Sequence, residues 1–101
     1  MIVTLNADGA VVRDADDCTR LSLETALGDA ALATALRVTD TGAPTGDGDV
    51  WLDVAVLRSR AQLAASEPDW PQRWSAMVAY AESKGWLSDD RRAVRVHVEA
   101  V

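Results

Sequence analysis

The sequence predicts an α+β fold, a small three- or four-stranded mixed sheet with two main helices packed on one face, in the order β(β)αβαβ. Three observations predict it. Residues 93–101 alternate between apolar and polar side chains; residues 69–85 carry helix start and stop signals; strand-like and helix-like stretches interleave along the chain. At 101 residues the chain is read as a single domain, 1–101, with no separable linker.

Taken in order, Ile2 to Leu5 reads as a short strand. The turn formers Asn6-Ala7-Asp8-Gly9 follow, and Ala10 to Arg13 return as a second strand, an N-terminal hairpin ended by the polar Asp14-Ala15-Asp16-Asp17. Leu21 to Val38 is helix-like, with Leu23, Leu27, Ala30, Ala31 and Leu32 at mostly helical spacing and Asp17, Thr19 or Ser22 as candidate caps. Gly28-Asp29 interrupts it, so Asp29 is an alternative cap for a separate helix from Ala30 to Arg37. Thr39 to Asp49, with three glycines and a proline, reads as a loop.

Val50 to Arg58 reads as a strand with two largely apolar faces. Val50, Leu52, Val54 and Val56 share one; Trp51, Asp53, Ala55 and Leu57 share the other. Ser59 to Ala65 reads as a short helix closed by Ser66-Glu67-Pro68. Asp69 is then an N-cap, Pro71 sits in the first turn where a missing N–H costs nothing, and the helix runs to about Lys84 with Gly85 as its left-handed stop. Its inner face is Trp70, Trp74, Met77, Val78 and Ala81, with Trp86 or Leu87 folding back on the last turn. Ala93 to Val101 is the final strand: Val94, Val96, Val98 and Ala100 face the core, Arg95, His97 and Glu99 face away. A helical crossover between strands 50–58 and 93–101 would make them parallel.

Composition bounds the function. With 18 Ala, 12 Val, 10 Leu and no Phe, the four Trp must supply much of the core's bulk. The net charge is −6, all of it in residues 1–50, where nine acids face three bases; residues 51–101 hold seven of each. Arg91, Arg92 and Arg95 are offset by Asp89 and Asp90, so no basic patch exists to displace counterions from nucleic acid or to hold an anionic membrane. No apolar run approaches the roughly 20 residues of a bilayer span, and Met1 to Asn6 lacks a basic n-region, so a cytoplasmic location is the default expectation.

Candidate chemistry is sparse. Cys18 is the only cysteine and excludes both an internal disulfide and a cysteine-based metal site. Asp47-Gly48-Asp49-Val50-Trp51 breaks the calcium-loop pattern at its fifth position, and the acids at 14, 16 and 17 do no better, so no metal is expected. Gly42, Gly46 and Gly48 match no phosphate-binding fingerprint, and no G-x-S-x-G elbow is present, so neither cofactor nor catalytic residue is expected.

Two functional readings survive. The first is a non-catalytic protein-interaction or structural module forming a homodimer through Trp51, Asp53, Ala55 and Leu57, since a second copy is the cheapest cover for a two-sided strand. The alternative is a small-ligand-binding protein or minor enzyme with a Trp-lined pocket. There Trp70 and Trp74, one helical turn apart, stack on a ligand that Arg95 and His97, two residues apart on one strand face, position.

Overall fold

A computed structural model describes residues 1–101. Nine elements follow one another: β1 (Ile2–Asn6), β2 (Gly9–Arg13), β3 (Ser22–Thr25), α1 (Asp29–Val38), β4 (Gly42–Pro44), β5 (Val50–Asp53), α2 (Val54–Ala64), α3 (Trp70–Ser83) and β6 (Ala93–Ala100). The α+β class is as expected, but the architecture is larger. Six strands form one curled mixed sheet in the order β2-β1-β3-β6-β5-β4, and three helices pack against it, not two.

The N-terminal hairpin forms where the turn residues place it, with β1 and β2 antiparallel and Asn6 paired to Gly9. The Asn6 Oδ1 accepts from the backbone N–H of Asp8 and Gly9, the side-chain-closed turn that Asn favours. The expected helix from Leu21 is a strand at its start. Ser22–Thr25 pairs in parallel with β1 on one side and β6 on the other, so it is a central strand of the sheet. Leu23 and Thr25 face the core, and the Thr25 hydroxyl donates to Leu5 O (2.9 Å) and accepts from Leu27 N–H (3.1 Å). These partners lie about 20 or about 75 residues away along the chain, and tertiary pairing overrides the local helical spacing. The helix begins only after Gly28, with Asp29 in its first turn and Leu32, Ala35 and Leu36 buried.

The long strand expected over 50–58 also divides. β5 stops at Asp53, whose carboxylate accepts from Val56 N–H (2.9 Å) and caps α2. From there Leu57 and Ala61 sit one turn apart on a buried face, a helical spacing that the β-branched Val54 and Val56 conceal. Because α2 and α3 both intervene, the chain reverses once more than in a single crossover, and β5 runs antiparallel to β6, not parallel. Part of the expected loop 39–49 is an edge strand: Gly42–Pro44 pairs with β5, and a Cβ on Gly42 would lie 1.8 Å from Trp51 O. Only glycine permits that approach.

One apolar cluster links the concave sheet face to the helices, drawing on Val3, Leu5, Leu23, Val50, Leu52, Val94 and Val96 from the strands and Leu36, Leu57, Trp70 and Trp74 from the helices. No helix is long and apolar enough to cross a membrane.

Candidate functional site

α3 forms as its local signals require. Pro71 occupies the first turn, and Gly85 adopts φ +75° just past the end. The Trp86 N–H then closes back on Ala81 O (2.9 Å). Asp69 is the N-cap residue, as expected, but its carboxylate makes no bond to the helix N–H groups and takes the Arg73 Nε–H at 3.0 Å, one turn along.

The two indoles at the start of α3 are core residues, 2% and 4% exposed, with ring centroids 5.6 Å apart. Trp70 Nε1–H donates to Ala15 O (2.8 Å), tying α3 to the β2–β3 connection. Asp16 reinforces that tie by accepting from Ser66 N–H and hydroxyl and from Glu67 N–H, and the Glu67 amide first, then the Ser66 groups, hold its carboxyl below the usual range. Farther along α3, Ala76, Met77, Val78, Tyr80 and Ala81 line a cleft of about 640 Å³.

The cleft exists because of how β6 is flanked. On its β5-distal side Leu87 bridges Val94, and β3 begins only at Ser22 opposite His97. The residues between have no strand partner there, although Arg95 N–H still reaches Trp86 O at 2.7 Å. Through this notch the space beneath α3, lined by Leu57, Trp74, Met77, Ala81 and Val96, opens toward Arg95 and His97 on the outer face. Fourteen of its 19 lining residues are hydrophobic, so the cleft is an apolar one with a short polar rim.

The rim electrostatics are nearly balanced. Arg95 Nε–H donates to Asp49 Oδ2 at 2.9 Å and a second guanidinium N–H to Asp47, and these bonds, Asp47 first, raise the guanidinium further above neutrality. The Thr45 hydroxyl and then Arg95 hold the Asp47 carboxyl down. His97 Nδ1 lies 3.6 Å from Asp49 Oδ1 with its ring largely in solvent. Cys18 also faces the cleft, its Sγ–H directed to Ala15 O at 3.7 Å, and burial pushes its thiol up, away from the reactive thiolate. No group of three His, Cys, Asp or Glu side chains converges to hold a metal ion.

Of the four residues expected to form a Trp-lined pocket, the structure brings Trp74, Arg95 and His97 around one cleft and leaves Trp70 behind it in the core. The four residues expected on one strand face do not share one. Trp51 pairs with Arg95 across the sheet, Asp53 caps α2, Ala55 is exposed on that helix, and Leu57 is 4% exposed in the core. Sequence reasoning missed Arg20 and Leu21, which complete the cleft from the β2–β3 connection; nothing local marks them, because the β3–β6 pairing places them. No family model matches the chain, and no curated protein and no solved structure matches it significantly.

Proposed function

We propose that the protein binds a small, largely apolar molecule in the cleft between α3 and β6. The observation that supports this is the cleft itself: about 640 Å³, within the roughly 300–1,000 Å³ range of small-molecule sites, with apolar walls and a few convergent polar groups. Trp74 offers an aromatic wall, Met77 an adaptable one, and Arg95 and His97 polar handles at the open end. This reading is preferred to the homodimer, because the strand that needed a second cover ends at Asp53 and Leu57 is already buried. It is also preferred to a catalytic role, since His97 has a carboxylate beside it but no nucleophile bonded to it.

The test uses N-phenyl-1-naphthylamine, a neutral fluorescent probe of suitable size, read by energy transfer from Trp74 and Trp86. Saturable binding is expected in the native protein, with strong loss in Ala81→Leu, whose added carbons occupy the cleft. A folded Ala81→Leu protein that binds the probe as well as the native protein would overturn the proposal, as would no binding at all.

A further inference from the structure

We propose that the natural ligand is an apolar monoanion, a carboxylate or similar acid whose head is held by Arg20; this rests on the cleft being a small-molecule site. The carboxylate and guanidinium side chains among the lining residues are Arg20, Asp49 and Arg95. Asp49 and Arg95 are bonded to each other, and Arg95 also pairs with Asp47, so that corner of the rim is spoken for.

Arg20 is different. It has no carboxylate within 4.0 Å and its guanidinium donates no hydrogen bond within the protein. Asp17, whose carboxyl feels the Arg20 charge, accepts instead from the N–H and hydroxyl of Thr19. Its five N–H donors are therefore free, on an exposed residue that lines an apolar cleft. A guanidinium fork matches a carboxylate in both shape and charge, whereas a cationic head would meet only an Asp49 already engaged by Arg95.

A matched pair of probes tests the idea. N-phenyl-1-naphthylamine and 8-anilinonaphthalene-1-sulfonate share one aromatic frame and differ in the sulfonate. The expected result is that the sulfonate binds about tenfold tighter at low salt, the scale of one charge-assisted hydrogen-bonded pair. Arg20→Gln should remove that advantage and leave the neutral probe's affinity unchanged. Arg37→Gln, which deletes the same charge on α1 away from the cleft, should leave the advantage in place. Equal binding of both probes, or a sulfonate advantage that survives Arg20→Gln or disappears equally in Arg37→Gln, would overturn the anionic assignment while leaving the cleft as a site. Absence of binding by either probe would overturn the cleft reading and this inference with it.

Discussion

Replacing Trp70 separates a core indole from a ligand-stacking one. Trp70 is 2% exposed, and its Nε1–H satisfies the Ala15 carbonyl at 2.8 Å. Trp70→Phe deletes that donor, at about 0.5–1.5 kcal/mol for the bond. The smaller ring also gives up burial worth about 1–2 kcal/mol, taking roughly 0.8 kcal/mol for each methylene-sized group removed. The expected loss is about 2–3 kcal/mol, and about 3–5 kcal/mol for Trp70→Ala. For a domain of this size each kcal/mol moves the melting temperature by about 4–8 °C, so Trp70→Phe should melt roughly 10–20 °C lower. Far-UV circular dichroism through a thermal melt and a urea titration measures this without relying on the altered fluorescence. Trp74→Phe is the companion, because Trp74 faces the cleft: it should change naphthylamine affinity, and Trp70→Phe, where still folded, should not. A Trp70→Phe protein within 0.5 kcal/mol of the native one, or one that alone loses the probe, would refute the placement of Trp70 in the core.

Three more outcomes follow from single contacts. Asp53→Ala removes the cap on Val56 N–H and should cost about 0.5–2 kcal/mol in urea unfolding, with unchanged solution mass by light scattering. Gly42→Ala drives a Cβ against the Trp51 carbonyl and should cost about 1–3 kcal/mol or displace β4 from β5, seen as lost amide protection along Val50–Asp53; Gly9→Ala, with open space around it, should stay close to neutral. Asp16 has a depressed carboxyl, so its contribution to stability is fully present above the ordinary value of 3.8 and is lost as pH falls below that toward the lowered folded value. Urea midpoints at pH 6 and pH 3 should therefore differ less for Asp16→Asn than for the native protein, and an equal difference would show that the Ser66 and Glu67 contacts do not form in solution.

What could be read from the sequence is what local chemistry specifies. Pro71 and Gly85 mark α3 wherever it packs, and Asn6 to Gly9 mark the hairpin turn. The alternation of Val94 and Val96 with Arg95 and His97 marks β6 because one sheet face is covered and the other is not. β3 was illegible for the opposite reason: its four residues are a strand only because β1 and β6 lie on either side, and the Leu23–Leu27 interval mimics a helical turn. At Asp53 the signal was present but ambiguous, since an Asp before Val-Ala-Val suits a polar strand position as well as a helix cap. The site divides in the same way: Trp74, Arg95 and His97 lie on legible elements, and Arg20 is placed by the illegible one.

The cleft itself follows from strand offset and residue size together. β6 is eight residues long, while its neighbours are four each and engage different halves, β5 at 93–96 and β3 at 97–100. Such a stagger leaves part of each flank of β6 without a strand partner, and Trp86 to Ser88 cover one of them only along 93–95. A bulky helix above would close the gap. Instead α3 places its two large indoles in its first two turns, where Trp70 fills the core and Trp74 walls one end of the cleft, and the rest of its lining is Ala76, Met77, Val78, Ala81 and the largely exposed Tyr80. The same chain that needs Trp to make up for an absence of Phe therefore concentrates that bulk at one end of a helix. Ala81→Leu reverses the arrangement at one position, so it should raise stability by burying added carbons as it abolishes probe binding. A destabilised variant would instead mean that α3 already packs too closely on β6 at this position to take the added carbons.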